Sequence, residues 1–271
     1  MKRMNRGVMR TLVAVSFIAG GSLWAQPWER AHAHNDYEHE RPLLDALDHG
    51  FCSVEADIHL VEGALLVAHD VEETRPGRTL QALYLDPLRE RVERHGGRVH
   101  PDGPEFTLLI DIKTGAEATC AVLEEVLGDY ATMLTRFEEG KITTNAVRVI
   151  LSGNRPIERL TRERTRLAAI DGRLPDLRRN PSVALVPLVS DNWQSHFEWR
   201  GEGEFPAAER EWLRTLVREA HAQGRRIRFW ATPDVEAAWR ELWLAGVDLI
   251  NTDDLEGLDK FLSGMNEPGE P

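Results

Sequence analysis

The sequence predicts a single-domain α/β fold, a (β/α)8 TIM barrel, and three observations carry that expectation. Short apolar strand-like runs alternate with amphipathic helical stretches about eight times, the order of a mainly parallel sheet with helices between its strands. Glycines stand where helical stretches should end, at Gly50, Gly140, Gly224 and Gly246. Within the strand-like runs, polar residues share one face near the C-terminal ends, where barrels of this kind keep their active sites. The chain of 271 residues suits one such barrel. A doubly wound open sheet is the alternative.

Taken in order, residues 1–25 form a separate segment. MKRMNRGVMR is basic without an acid, TLVAVSFIAGGSLW is apolar but short for a membrane span, and Ala25 precedes the polar QPWER. This is the pattern of a secretory signal peptide cut near Ala25, with an uncleaved anchor as the alternative. The expectation is a secreted or periplasmic protein with no stable membrane span after cleavage. The barrel should then occupy residues 26–263, and residues 264–271 should be a disordered tail.

Strands are expected at 30–35, 51–58, 64–70, 106–113, 147–153, 167–171, 183–190, 226–232 and 248–253. Helices are expected at 41–50, 116–140, 207–224 and 234–246, the last starting after Pro233 at Asp234. A long insertion at about 71–105 should cap the site as loop and helix. Trp193, Phe197 and Trp199 in SDNWQSHFEWRG should form a packed lid or, alternatively, a lipid-contacting rim.

In SVEADIHL, Val54, Ala56 and Ile58 alternate with Ser53, Glu55, Asp57 and His59. A parallel strand covered by helices buries the apolar set outward, so Glu55 and Asp57 must face the lumen. In FTLLIDIK the same parity turns Asp111 and Lys113 inward, and in RIRFWAT it groups Arg228 with Trp230. Three converging carboxylates without matching cations would cost many kcal/mol. A hard divalent cation resolves this, and all-oxygen ligation by Glu55, Asp57 and Asp111 favours Mg²⁺ or Ca²⁺ over zinc. The plainer alternative is ion pairing of these acids with Lys113 and Arg228.

His32 and His34 share a face of RAHAHN, and His69 ends ALLVAHD. Two histidines at strand ends beside a metal can serve as general base and general acid. An HxH pair on the first strand also occurs in metal-dependent amidohydrolases, but the further histidines of that scheme are missing on the middle strands.

The ordered set HAHNDYEHERPLLDALDHGFCSVEADIHL…LLVAHD closely resembles the start of the phosphatidylinositol-phospholipase-C-like phosphodiesterase superfamily, nearest to the altered-inheritance-of-mitochondria protein family and its bacterial relatives. The resemblance continues through LYLDPL, LLIDIKT, LSGNRP, SDNW, RFWATPD and GVDLINTDDL, with Ala68 where relatives have Gly before His-Asp. It implies a divalent metal on Glu55, Asp57 and Asp111, catalytic histidines at His69 and at His34 or His32, and Lys113 and Trp230 lining the site. The His-Arg-Gly and Glu-Asn-Thr of glycerophosphodiester phosphodiesterases are absent, which puts that specificity in doubt but not the phosphodiester chemistry.

Without residues 1–25 the chain holds 29 Lys and Arg against 45 Asp and Glu, a formal charge of −16. Such a surface repels nucleic acid and anionic membranes. The expected partner is a small-molecule or lipid phosphodiester; the competing class is a barrel that binds a phosphorylated or lipid ligand without turnover. Cys52 and Cys120 are too few for a disulfide scaffold, and Cys52 is expected as a buried free thiol. The sequence does not reveal the oligomeric state.

Overall fold

The computed structural model describes residues 25–138 and 141–266. The expected signal segment lies outside the described residues apart from Ala25, as do Gly140 and residues 267–271. Strands are β1 (Trp28–Ala33), β2 (Phe51–Val61), β3 (Ala64–Val67), β4 (Phe106–Ile112), β5 (Arg136–Glu138), β6 (Lys141–Thr143), β7 (Val147–Gly153), β8 (Thr165–Arg166), β9 (Ala168–Gly172), β10 (Leu188–Asn192), β11 (Arg226–Trp230) and β12 (Ile250–Thr252). Helices are α1 (Leu44–Asp48), α2 (Asp86–Arg94), α3 (Ala116–Gly128), α4 (Ile157–Arg162), α5 (Leu174–Arg179), α6 (Ala207–Ala222), α7 (Glu236–Ala245) and α8 (Leu255–Asn266).

Eight strands run parallel in the order β11-β10-β9-β7-β4-β2-β1-β12, and a parallel bridge between Arg228 and Leu249 nearly closes the ring. A helix follows each stave, so this is the expected (β/α)8 barrel. Outward-facing Val54, Ala56, Ile58, Leu108, Ile110 and Ile112 are buried under the helices. Inward-facing Leu109, Ile150, Leu188 and Leu249 form a separate apolar cluster that plugs the lumen. One pleat further along their strands, Asp111, Ser152, Ser190 and Asn251 replace them, so the lumen turns polar toward its C-terminal end.

Several elements depart from expectation. The segment ALLVAHD is no stave: β3 pairs antiparallel with β2, from Val61↔Ala64 to Ile58↔Val67. Glu62 and Gly63 turn the hairpin with φ of 49° and 82°, the two positive values a twisted two-residue turn requires. The first part of the insertion packs beside the site, where Arg78 Nη2 donates to Tyr37 O at 2.5 Å and Tyr84 Oη to Asp36 Oδ2 at 2.9 Å. The insertion also supplies α2 as the crossover from β2 to β4, and His100 Nε2 donates to Phe51 O, 2.8 Å away, at the N-terminal end of β2.

Helix α3 stops at Gly128 rather than near 140, because Phe137 is needed in a small antiparallel sheet of β6, β5 and β8, where it is fully buried. Stave β10 starts at Leu188 because Pro187 lacks the N–H a ladder needs and residues 182–186 turn on Ser182 O. Helix α8 runs to Asn266, so residues 264–266 of the expected tail are helical. Trp193, Phe197 and Trp199 are neither lid nor rim. They are buried with Phe205 and Phe229, Trp193 stacking on Phe197 at 4.0 Å, on the outward face of β11. Cys52 and Cys120 are free and buried. Among the described residues no helix is long and apolar enough to cross a membrane.

Candidate active site

The strand parity brings the three expected carboxylates together. Oxygens of Glu55, Asp57 and Asp111 lie within 4.8 Å of one another at the C-terminal half of the lumen. Asp57 and Asp111 are register partners on adjacent β2 and β4. They are not without cations, as both ion pairs named as the plainer alternative are present. Arg228 Nη2 lies 2.5 Å from Glu55 Oε2, and Lys113 Nζ lies 2.9 Å from Asp57 Oδ2 and 3.4 Å from Asp111 Oδ2.

Two cations against three carboxylates leave the cluster one formal negative charge in excess. Burial would raise the Glu55 carboxyl, but Arg228 and the His32 bond hold it well below the usual range. Burial and the Glu55 charge push Asp57 up to about 7 against the pull of Lys113. Burial also raises Asp111, again opposed by Lys113. Burial works against the Lys113 ammonium, but Asp57 and Asp111 outweigh it and raise its pKa.

The donor set fits a hard divalent cation. It is all oxygen, it carries excess negative charge, and Asp57 Oδ1 is buried without a hydrogen-bond partner. The other oxygen, Oδ2, accepts from Tyr37 Oη at 2.7 Å. A buried carboxylate oxygen left bare beside two further carboxylates suits a cation ligand. No histidine belongs to this group.

The two first-strand histidines part company. His32 is fully buried, with Nδ1 2.7 Å from Ser53 Oγ and Nε2 3.4 Å from Glu55 Oε2. Burial and the Arg228 charge push its pKa down to about 3, so it stays neutral and both ring nitrogens are committed. His34 lies higher, at the rim, with Nδ1 2.8 Å from Asp253 Oδ1 beyond the end of β12. Burial disfavours its charge, but the Asp253 bond and the Glu55 charge outweigh burial and raise its pKa. His32 and His34 thus have separate partners and do not share a ligand position as the amidohydrolase scheme requires.

His69 follows the hairpin. Ala68 N donates to Asp57 O at 3.2 Å, and His69 O lies 3.2 Å from His59 Nε2, which fixes the segment beside the carboxylates. The His69 ring is half exposed, 3.4 Å from Asp70 Oδ2. Trp230 ends β11, and the Arg173 guanidinium lies over its ring at 4.8 Å. Arg173 also reaches Asp171 Oδ2 at 2.9 Å, and Arg155 donates to Asp171 O at 2.6 Å.

The HNDY motif accounts for its own residues. Asn35 takes a left-handed turn at φ 45°, and Asp36 is buried, accepting from Leu43 N at 2.5 Å and Tyr84 Oη at 2.9 Å. Tyr37 then reaches Asp57. The sequence offers Asp253 only as the last-strand aspartate of the amidohydrolase scheme, not as a partner of His34, and it does not single out Tyr37 or Arg173 for the site.

The altered inheritance of mitochondria protein 6 homolog of Arthroderma benhamiae is 28% identical over 254 residues, covering 83% of this chain and 81% of the relative. The Eremothecium gossypii altered inheritance of mitochondria protein 6 is 29% identical over 268 residues, covering 86% and 69%. The crystal structure of a glycerophosphodiester phosphodiesterase from Parabacteroides distasonis superposes with a TM-score of 0.55 at 16% identity, covering 90% of this chain and 100% of the other. An Oleispira antarctica phosphodiesterase in complex with sn-glycerol-3-phosphate superposes at 0.51 and 14% identity, covering 91% and 98%. At such identity the structures speak for the barrel. The glycerophosphoryl diester phosphodiesterase family matches residues 226–256, which span β11 to β12. Residues 26–170, more than half of the chain, match the AIM6-like phosphodiesterase domain, and the chain belongs to that family.

Proposed function

We propose that the protein is a divalent-cation-dependent phosphodiesterase that cleaves a glycerophosphodiester- or phospholipid-like substrate by acid–base catalysis between two histidines. The observation that carries this reading is the meeting of Glu55, Asp57 and Asp111 at the barrel rim with an unpaired buried oxygen on Asp57. Mg²⁺ or Ca²⁺ held by these three residues would supply Lewis-acid neutralisation of a phosphoryl oxygen.

The chain's own groups do the rest. His34 gives its Nδ1 proton to the bond with Asp253, which leaves Nε2 as the base toward the attacking hydroxyl or water. Asp253 holds the ring and stabilises the charge that it gains. His69, exposed at the rim beside Asp57, protonates the leaving oxygen. Lys113 sits between Asp57 and Asp111, where it balances phosphoryl charge. Arg173 and Trp230 border the mouth and shape the pocket. His32 orients Glu55 and takes no proton. Export belongs to the same reading, supported by the order of residues 1–25, and N-terminal sequencing of the mature protein tests it.

Turnover of a phosphodiester panel with Mg²⁺ and with Ca²⁺ tests the proposal. His34→Ala and His69→Ala should each lower kcat by roughly 10²–10⁴-fold, whereas full activity of His69→Ala would sink the scheme. Product analysis separates hydrolysis from cyclic phosphate release by a substrate hydroxyl.

A second reading, a barrel that binds a phosphorylated or lipid ligand without turnover, draws on Lys113 and Arg228 already pairing with all three carboxylates. Tight binding of a diester with no turnover in either cation would favour it.

A further inference from the structure

We infer that the Ser-Gly-Asn-Arg turn at the end of β7 is a clamp that holds Asp111 and Lys113 in place, with Gly153 and Asn154 as positioning residues. The inference rests on the cation-site reading above. The observations are independent of it and concern the C-terminal end of β4, which carries both side chains.

Gly153 has φ +64°, and Asp111 Oδ1 occupies the space where any other residue would put its Cβ. A Cβ there would stand 1.9 Å from Asp111 Oδ1, 2.6 Å from Ile112 O and 2.9 Å from Ile112 N. The second and third contacts are main chain and cannot rotate aside. Glycine is needed for the backbone conformation and again for the room it leaves the carboxylate. Asp111 is thereby seated against β7 while its other oxygen faces Lys113.

The next residue closes the clamp from above. Asn154 N donates to Ile112 O at 2.9 Å, and Asn154 Nδ2 donates to Lys113 O at 3.2 Å and Thr114 O at 3.0 Å. These bonds extend the β4–β7 ladder past its last register pair, Ile112↔Gly153, and hold the main chain of Lys113. The flanking residues tie the turn to β9. Ser152 Oγ donates to Asp171 Oδ2 at 2.8 Å, and Arg155 Nη1 donates to Asp171 O. Gly153 and Asn154 thus contact the end of β4 that carries Asp111 and Lys113, while Ser152 and Arg155 fix the turn to β9. Partners of metal ligands set the ligand's direction, and losing one typically lowers metal affinity by about 10–100-fold.

The test is a calorimetric titration of the full-length protein with Mg²⁺ and Ca²⁺ alone, beside thermal melting. Gly153→Ala should lower cation affinity by about 10–100-fold. Asn154→Ala removes side-chain bonds from an exposed residue and should weaken cation binding by about 10-fold with little change in Tm. Gly203→Ala is the control: it has φ +66° and a Cβ there meets nothing within 4 Å, so it carries the same backbone strain without touching the site. It should lose stability and keep wild-type cation affinity. Wild-type affinity in Asn154→Ala, together with Gly153→Ala equal to Gly203→Ala, would overturn the clamp while leaving the cation site standing. No cation binding by the wild type would instead remove the reading on which the clamp rests. Should Gly153→Ala fail to fold, Asn154→Ala decides alone.

Discussion

His34 Nδ1 lies 2.8 Å from Asp253 Oδ1, joining the first stave of the barrel to the end of the last across 219 positions of sequence. Asp253 is held in turn, since its main-chain N–H donates to Asp234 Oδ2 at 2.8 Å. Asp253→Asn should lower kcat/KM by about 10²-fold or more, because the ring loses both orientation and the charge that favours its protonation. The sign of the pH effect follows. Asp253 raises the His34 pKa, and the base must be neutral to act. In the variant the acid limb of the pH–rate profile should move to lower pH as the plateau falls. A profile displaced to higher pH would contradict the dyad.

Arg228 is buried with Glu55, and its Nε donates to Asn251 Oδ1 at 2.8 Å. Arg228→Met leaves Glu55 as an uncompensated buried charge and should destabilise the fold by roughly 3–5 kcal/mol. Denaturant unfolding measures this. Saturating Mg²⁺ should restore part of the loss, and Arg228→Met/Glu55→Gln should restore part without a cation. Loss unaffected by either would show that packing, not charge, decides.

Burial pushes the Asp36 carboxyl up to about 7, more than the bonds from Leu43 and Tyr84 lower it. A carboxyl with a raised folded pKa stabilises the protein most below its ordinary value of 3.8 and loses that contribution as pH rises through about 7. Asp36→Asn keeps an acceptor for Leu43 and Tyr84 and removes the titration. With chelator present, its stability should fall less between pH 4 and 7 than that of the wild type. An unchanged slope would place the pH dependence elsewhere.

Much of this was legible in the sequence because strand parity is a strong rule. Once 51–58 and 106–113 are buried strands, Glu55, Asp57 and Asp111 have one face left to occupy. Parity cannot say whether a strand runs parallel or folds back. That is why 64–70 reads as a stave, although the Glu62–Gly63 turn makes it a hairpin. Nor does it fix the direction of loop aromatics. Trp193, Phe197 and Trp199 turn inward because Phe205 and Phe229 offer them an apolar site, and Phe229 belongs to the next stave, beyond α6. The His34–Asp253 pair joins opposite ends of the chain, and only the closed ring brings them together.

Asp57 also links cation binding to protons. Its carboxyl, raised to about 7, must be ionised to act as a ligand, so cation affinity should rise as pH increases from 6 to 8 and binding should release protons into the buffer. Titration in buffers of different ionisation enthalpy measures the release. Affinity that is flat across this range would exclude Asp57 from the ligand set.

The most direct measurement is cation stoichiometry and phosphodiester turnover measured together on the wild type and on Glu55→Gln/Asp57→Asn. One Mg²⁺ or Ca²⁺ per chain, lost with turnover in the variant while the barrel stays folded, is the predicted result. Turnover that persists in the variant under chelation would contradict it, and Lys113 and Arg228 would then be the lasting partners of these carboxylates.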